Sequence, residues 1–279
     1  MTIALEPFDA PLGAEVTGLD PRAVSAADLD ALIRALATHG VLVLRDQQLT
    51  PAELVAFSRR FGELEYHVLD QYWLPEQPEV YVISNIVENG KPLGNPREGF
   101  GWHTDLSYMP LPTAYTFLYG LEVPDQGADT EFCTVYPATE ALEPALRARL
   151  DAMTMRHSYA MLHASRPWAP PLTEQQKARS PDVFHPMMRI HPITGKQGIY
   201  LGGTTVSLPL DMDEAEGRAL IDALFEQATR PEHVYAHKWR KHDLVFWDNR
   251  FVMHTATEYD REGQRRLIHR TSVRGEKPY

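Results

Sequence analysis

Residues 101 to 108, GWHTDLSY, place an imidazole and a carboxylate two positions apart, at His103 and Asp105. In an extended strand, side chains at i and i+2 point to the same face about 7 Å apart, so one cation could be held between them. Imidazole nitrogen and carboxylate oxygen are ligands that zinc and iron accept. The spacing therefore permits a metal site, and a third ligand has to come from elsewhere in the chain.

A second group of polar residues lies between positions 243 and 275. His254 supplies another imidazole there, and Arg266 and Arg270 follow it by 12 and 16 residues. Alternation along the last predicted strand puts both arginines on one face, with their guanidinium groups starting about 13 Å apart. Two positive charges on one face predict that this face binds anions.

Motifs of several other enzyme classes do not occur in the sequence. It contains no GxGxxG, GxxxxGK[ST], GxSxG or HExxH. This disfavours nucleotide binding, serine hydrolysis and thermolysin-type proteolysis.

Composition limits the class of protein further. At 279 residues with 43% hydrophobic content, the chain can bury a large core as one large domain or two small ones. Its formal net charge of -11 disfavours nucleic acid or an anionic membrane as the main partner. No apolar run approaches the roughly 20 residues of a membrane span, and the N-terminus MTIALEPFDAPLG lacks a signal-peptide pattern, so we expect a cytoplasmic protein. The single cysteine, Cys133, excludes an intrachain disulfide and a cysteine-based zinc cluster.

Capping and periodicity predict two helices near the N-terminus. The first begins after Ser25, carries apolar residues at 29, 32, 33 and 36, and stops at Gly40. The second begins with a capping box, Thr50 with Glu53, has proline at its first position, and ends at Gly62. Further helices are predicted at 138 to 152 and 213 to 229, and strands at 41 to 45, 80 to 84, 114 to 123, 198 to 202, 244 to 248 and 266 to 273.

The arrangement of these elements predicts the fold class. Strands outnumber helices in the second half and lack regular β-α alternation, which favours a mainly β sandwich or barrel with flanking helices. We expect one domain over residues 1–279. The proline-rich segment 165–186 is predicted to run over the surface, either as a linker or as a lid.

Taken in order, these residues resemble the taurine dioxygenase and chlorophenoxyacetate dioxygenase family of iron(II)- and α-ketoglutarate-dependent oxygenases. The resemblance runs through LGAEVTGLD (12–20), GADTEFC (127–133), HPMMRIHPITGKQ (185–197), WDNRFVMH (247–254) and RRLIHRTSVRGEKPY (265–279). It implies a double-stranded β-helix, which is a cupin-like jelly roll.

The resemblance also implies roles for individual residues. His103, Asp105 and His254 would be the two-histidine, one-carboxylate iron ligands. Thr130 and Arg266 would hold the distal carboxylate of α-ketoglutarate, and Arg270 would meet the anionic group of a small substrate. Three protein ligands on one face of iron(II) leave two positions for the keto acid and one for O₂. The expected outcome is hydroxylation of the substrate, coupled to decarboxylation of α-ketoglutarate to succinate and CO₂.

The same resemblance implies a substrate wall. His67, Leu106 and Tyr159 align with residues that line the site of the taurine enzyme, and Gly99 replaces an asparagine near its amino group. The smaller residue and a shorter loop after position 200 would open volume. We therefore expect a bulkier or less polar acid than taurine, a carboxylate or a sulfonate.

Two other classes of protein stay open on the residues alone. Two histidines and a carboxylate also describe the site of a zinc hydrolase, although Thr130 and Arg266 would then have no role. The arginine pair would also suit a non-catalytic β-barrel that binds a small anion. Homo-oligomerisation stays open in each case.

Overall fold

The structure is a computed structural model that describes residues 3–279. Its α-helices are α1 (Ala26–His39), α2 (Pro51–Arg59), α3 (Tyr136–Glu140), α4 (Pro144–Asp151), α5 (Tyr159–Ala164), α6 (Glu174–Arg179) and α7 (Glu214–Ala228). Short 3-10 helices occupy Pro21–Ala23, Asp70–Tyr72 and Pro231–His233. The predicted caps are confirmed: the Ser25 and Thr50 hydroxyls each accept from the backbone N–H three residues later and begin α1 and α2.

The strands fall into one large sheet and several small ones. Those of the N-terminal half are β1 (Ala4–Pro7), β2 (Ala14–Thr17), β3 (Val41–Leu44), β4 (Leu64–Glu65), β5 (Trp73–Leu74), β6 (Gln77–Ser84), β7 (Val87–Glu88), β8 (Lys91–Pro92) and β9 (Thr113–Glu122). Those that follow are β10 (Thr130–Thr134), β11 (Thr154–His157), β12 (Val183–Pro186), β13 (Met188–Ile190), β14 (Gln197–Ile199), β15 (Ser207–Pro209), β16 (Val234–His237), β17 (Leu244–Asp248), β18 (Val252–Ala256) and β19 (Leu267–Arg274).

The large sheet has the order β1-β2-β3-β17-β9-β19-β6-β5, with β4 also paired to β19. Its pairs are antiparallel except for β2 with β3. Helices α1 and α2 cover one face, where Phe57 packs edge-on against Phe117 and Phe246 with ring centroids 5.6 and 5.9 Å apart. This core fixes the position of β9, β17 and β19, the strands that carry polar side chains to the other face.

A second sheet, β16-β10-β18, faces the large one. Phe132 on β10 meets Trp247 on β17 with ring centroids 5.2 Å apart, so aromatic packing joins the two sheets. The smaller sheets β12-β11-β15 and β13-β14 add to the second half of the chain. Two facing antiparallel sheets with helices outside confirm the predicted mainly β class.

Some predicted elements differ from the structure in length or kind. The helix expected at 138–152 is two helices, because Pro144 cannot continue α3 and instead begins α4. The strand expected at 198–202 ends at Ile199, and Gly202 and Gly203 lie beside the cavity described below. The segment 165–186 is not entirely irregular, since it contains α6 and ends in β12.

No helix formed within residues 3–279 combines the length and the apolar character needed to cross a bilayer.

Candidate active site

His103, Asp105 and His254 converge from two distant parts of the chain. Their backbones are joined directly, since His103 N donates to His254 O at 3.0 Å and His254 N donates to His103 O at 2.9 Å. One ligand atom from each of the three side chains lies within 4.8 Å of the others. Nε2 of each imidazole is 3.7 Å from a carboxylate oxygen of Asp105. This donor set and spacing suit a single metal ion with open positions.

Hydrogen bonds orient the His103 and Asp105 side chains. His103 Nδ1 donates to the Gly101 carbonyl oxygen at 2.7 Å, which leaves the lone pair of a neutral ring on Nε2. Asp105 Oδ2 accepts from the Thr116 hydroxyl at 2.7 Å. The Asn249 side chain accepts from Asp105 N at 3.1 Å and donates to Thr116 Oγ1 at 2.9 Å. Thr116 on β9 and Asn249, the residue after β17, therefore fix the orientation of Asp105.

Nearby charges at Asp105 and burial at His254 favour metal-binding protonation states of these two groups. Burial alone would raise the pKa of Asp105, but Arg270, the two imidazoles and the Thr116 hydroxyl outweigh burial and hold that pKa below its ordinary range. Burial, with a smaller contribution from His103, lowers the pKa of His254 to about 3. At neutral pH the site therefore presents one carboxylate and a neutral His254 imidazole, which are the forms that bind a cation.

A small cavity opens between His103, His254 and Arg266. The Arg266 guanidinium is 4% exposed, its Nε meets no hydrogen-bond acceptor within residues 3–279, and burial lowers its pKa to about 10. The Thr130 hydroxyl accepts from Trp239 Nε1 at 3.0 Å, so its own hydrogen is free to donate. Between these polar ends the cavity is lined by Ile83, Leu118 and Trp247. The polar groups at its two ends suit a short diacid.

Gly99 belongs to this smaller cavity and not to the larger one, where a substrate-binding position was expected. Its φ of +89° favours glycine, and its carbonyl accepts from Ala256 N at 2.7 Å. A Cβ placed there would lie 3.6 Å from Ala256 Cβ, an ordinary contact. Glycine at this position is thus explained by backbone conformation, and the adjacent residue, Glu98, faces both cavities.

A larger cavity extends from Asp105 and Arg270. The Arg270 guanidinium stacks on the Tyr81 ring at 4.7 Å, and its Nη1 donates to Asp105 Oδ1 at 3.3 Å. His67 Nδ1 accepts from Leu69 N at 3.1 Å, which puts the proton of the neutral ring on Nε2. Burial lowers the pKa of His67 to about 3, so that ring stays neutral and can donate from Nε2.

The other predicted wall residues also line this cavity. Tyr159 is 1% exposed, and its hydroxyl has no hydrogen-bond partner within the described part of the chain. Its ring lies 4.6 Å from that of Tyr108. Leu106 is buried with a φ of +50°, a strained conformation for a branched residue, directly after Asp105. The structure thus brings together His67, Leu106, Tyr159 and Arg270 around one cavity.

Two charged residues of this cavity were missed by the sequence analysis. Glu98 is 7% exposed, and its Oε1 lies 3.5 Å from Nη2 of Arg166. Glu98 stands five residues before His103, a position that carries no signal of its own in the sequence. Arg166 lies in the proline-rich segment interpreted as a linker or lid, where a single arginine is expected to be exposed.

A mainly β fold carries two histidines and a carboxylate beside a buried arginine that has no hydrogen-bond partner for its Nε within residues 3–279. This donor set is the one found in metal-dependent oxygenases of the non-haem iron class. The sequence profile of the family "Taurine catabolism dioxygenase TauD, TfdA family" matches residues 4–272. The chain belongs to this family, as the resemblance predicted.

Individual relatives cover nearly the whole chain. Pentalenolactone F synthase from Streptomyces arenae is 33% identical over 93% of this chain and 91% of its own length. The α-ketoglutarate-dependent 2,4-dichlorophenoxyacetate dioxygenase from Cupriavidus pinatubonensis is 32% identical over 98% of both chains. The crystal structure of AAD-2 in complex with Mn(II) and N-oxalylglycine superposes with a TM-score of 0.84 and 30% identity, covering 100% of this chain and 99% of that one.

These comparisons confirm the predicted jelly roll and the predicted enzyme class. Of the three classes left open by the residues, the α-ketoglutarate-dependent dioxygenase is the one that the family and its relatives support.

Proposed function

We propose that His103, Asp105 and His254 bind iron(II), and that Arg266 and Thr130 bind the distal carboxylate of α-ketoglutarate. Bound there, the ion and the co-substrate supply an O₂-dependent oxidation that hydroxylates an unactivated carbon and converts α-ketoglutarate to succinate and CO₂. The side chains hold and orient the reactants and keep water from the site.

The observation that carries this proposal is a buried arginine without a partner, at the far end of a cavity that begins at the metal-binding side chains. Arg266 has no carboxylate within ion-pair distance among residues 3–279. A buried guanidinium of this kind is stabilised by a bidentate anion. A hydrolytic zinc site gives such a group no function, whereas a chelating keto acid requires it.

We infer that the substrate is a carboxylate or sulfonate with a bulky apolar body. Its anionic group would meet Arg270, and His67 Nε2 and the Tyr159 hydroxyl would add hydrogen bonds. The larger cavity is also lined by six apolar or aromatic side chains, Phe100, Trp102, Leu106, Tyr108, Leu162 and Val206. The related Cupriavidus enzyme acts on 2,4-dichlorophenoxyacetate, an acid of this description.

The test is a screen of aryloxyacetates, arylpropionates and aryl sulfonates with purified protein, iron(II), α-ketoglutarate and O₂. We expect at least one acid to stimulate succinate formation about 10-fold or more, with a product heavier by one oxygen atom. Hydrolysis supported by zinc without O₂, or succinate formation that no acid stimulates, would contradict the proposal. Direct metal and co-substrate binding, measured without O₂, separates loss of binding from loss of turnover.

We further propose that residues 1–279 act as one domain in the cytoplasm. The larger cavity draws on residues from position 67 to position 270 and the smaller one on residues from position 83 to position 270, so neither half of the chain holds a complete site. The single cysteine, which is buried, is consistent with a reducing compartment. The net charge of -11 favours small molecules over nucleic acid or anionic membranes as partners.

The segment 165–186 contributes Arg166 to the cavity, which favours a lid over a linker. Its proximal part contacts the loop that precedes His103, where Arg97 lies over the Trp168 ring at 5.1 Å. Substrate-dependent protection of residues 165–172 in hydrogen exchange would support the lid. Equal exchange with and without substrate would support the linker.

A further inference from the structure

The Glu98 carboxylate occupies the wall shared by the two cavities. Its Oε2 accepts from Asn95 Nδ2 at 2.6 Å and from the Tyr81 hydroxyl at 3.2 Å. Its Oε1 has only the longer contact to Arg166, at 3.5 Å. Burial would raise the pKa of Glu98, but Arg166 and other nearby cationic groups lower it to about 2. One oxygen is therefore anchored, while the other presents a permanent negative charge to the cavity.

Tyr81 contacts both Glu98 and Arg270. Its ring lies under the Arg270 guanidinium, and its hydroxyl donates to Glu98. The Tyr81 side chain alone therefore separates the Glu98 carboxylate from Arg270, which is proposed to bind the substrate's anion. Glu98 and Arg166 line the same cavity as Arg270, so a substrate anchored on Arg270 shares this cavity with both charges.

The charges that line the two cavities leave a small excess. Three guanidinium groups, those of Arg166, Arg266 and Arg270, stand against the two carboxylates of Glu98 and Asp105. The net charge of these side chains is therefore +1. A divalent iron ion and a dianionic keto acid cancel each other, so a bound complex keeps this single positive charge. One negative charge on the substrate neutralises the site.

We propose that Glu98, paired with Arg166, makes the larger cavity selective for a substrate with a single negative charge and an uncharged remainder. The inference rests on the proposed function, because it assigns the substrate's one anion to Arg270. Glu98 is thus a specificity-determining residue, which excludes substrates that carry a second anionic group. The substrate needs no cationic group, because Arg166 already pairs with Glu98.

The exclusion follows from the low effective dielectric of a buried cavity. A second carboxylate a few ångströms from Glu98 Oε1 meets like-charge repulsion that bulk solvent does not screen, which predicts a loss of affinity of about 30-fold or more. A substrate ammonium group would have to displace Arg166, whose pKa is raised chiefly by Glu98. It would then leave a guanidinium without a partner in a partly buried position.

Four probes with one skeleton test this in the unaltered protein. They are phenoxyacetate, its 4-carboxy derivative (a dianion), its 4-carbamoyl derivative (a monoanion of the same size), and its 4-aminomethyl derivative (a zwitterion). Calorimetric titration into the Mn(II) and N-oxalylglycine complex measures binding without turnover. We expect the two monoanions to bind within about 5-fold of each other, and the dianion and the zwitterion at least about 30-fold more weakly than the carbamoyl probe. A dianion or zwitterion that binds as tightly as the carbamoyl probe overturns the inference, and so does failure of all four to bind.

The variant Glu98→Gln identifies the residue responsible. Its amide oxygen can still accept from Asn95 and Tyr81, so the geometry is kept while the charge is lost. We expect the preference for the carbamoyl probe over the dianion to fall by about 10-fold or more. Glu122→Gln is the matched control, because it removes a carboxylate that pairs with an arginine, Arg265, outside both cavities. An unchanged preference in Glu98→Gln, or an equal loss in Glu122→Gln, overturns the assignment.

Failure of this inference is distinguishable from failure of the proposed function. If an organic acid stimulates succinate formation but the charge series binds without discrimination, only the inference is wrong. If no acid stimulates succinate formation, the proposed function fails whatever the binding series shows. Should Glu98→Gln fail to fold, the four-probe series in the unaltered protein still decides.

Discussion

The Thr116 hydroxyl connects the carboxylate of Asp105 to the amide of Asn249. It donates its hydrogen to Asp105 and accepts from Asn249, so both of its hydrogen-bonding functions are used. Partners behind a metal ligand fix its orientation, and removing one typically costs about 10- to 100-fold in metal affinity.

We therefore expect Thr116→Val to weaken Mn(II) or Fe(II) binding by about 10- to 100-fold while the protein remains folded. Anaerobic titration of the purified variant measures the affinity. Thr113→Val on the same strand is the control, since the Thr113 hydroxyl is buried and has no partner within residues 3–279. Equal metal affinity in the two variants would show that Thr116 does not position Asp105.

Arg266 and Arg270 are expected to separate in function. Arg266→Ala removes a charge-assisted bidentate pair with the co-substrate, worth about 2 to 5 kcal/mol, so α-ketoglutarate affinity should fall by about 30- to 4000-fold. Arg270→Ala should leave the metal-to-ligand absorption band of the anaerobic iron and α-ketoglutarate complex largely intact. Substrate turnover should collapse in that variant while slow uncoupled succinate formation persists.

Titrating both variants with α-ketoglutarate under nitrogen, and then with substrate, provides the measurement. If Arg270→Ala loses the band and Arg266→Ala keeps it, the two roles are exchanged. If neither titration changes in either variant, the anion-binding roles assigned to Arg266 and Arg270 are wrong. Arg270 also donates to Asp105, so metal affinity has to be measured alongside.

At the scale of elements, the end of α1 is tied to the strand that carries His254. Gly40 caps α1 with a φ of +76°, and a Cβ there would lie 2.8 Å from Val252 Cγ2 on β18. Gly90 has nearly the same φ, +75°, in the turn between β7 and β8, with no atom within 4 Å of an added Cβ. The two glycines share the backbone cost and differ in steric contact.

We expect Gly90→Ala to lower the free energy of unfolding by about 1 kcal/mol, from the left-handed conformation alone. Gly40→Ala should cost about 1 to 3 kcal/mol more, because the added methyl overpacks the contact between α1 and β18. Denaturant unfolding monitored by circular dichroism measures both. Equal losses of unfolding free energy in the two variants would mean that the end of α1 shifts to accommodate the added methyl group at no extra cost.

At the scale of the whole molecule, buried histidines link stability to pH. Burial lowers the pKa of His269 to about 4, against an ordinary value of 6.5. Its imidazole lies at the crossing of β19 with β6 and β9 and lines neither cavity. The unfolded chain takes up a proton near pH 6.5 that the folded chain refuses until about pH 4, so stability is lost as pH falls through that window.

Each such histidine contributes a slope of about 1.4 kcal/mol per pH unit between the two pKa values. His67 and His254, with pKa values of about 3, add to the same slope. We expect His269→Gln to reduce the slope of unfolding free energy between pH 6 and pH 4.5 by about one proton. Thermal and denaturant unfolding at matched pH values measures it, and an unchanged slope would mean that His269 is protonated in the folded state.

The sequence by itself determined the elements whose signals are local. Ser25 and Thr50 begin helices because each hydroxyl reaches a backbone N–H three residues away. Pro144 carries a local signal of the same kind, but apolar periodicity was followed instead and the break between α3 and α4 was missed. The sequence also provided the residue types of the site, since the order of His103, Asp105, His254, Arg266 and Arg270 is specific enough to indicate the family.

Only the tertiary structure decided what surrounds those residues. Asp105 and Asn249 are 144 positions apart, and Glu98 and Arg166 are 68 apart, so no local period or spacing relates them. Gly99 shows the same limit, because the family resemblance implied a place near the substrate, whereas in the structure it lines the smaller cavity, together with Arg266. Long-range contacts depend on the crossing of strands and on loops packed over them. Those contacts set the charges that line the larger cavity, Glu98 and Arg166 among them, and the sequence pattern does not encode them.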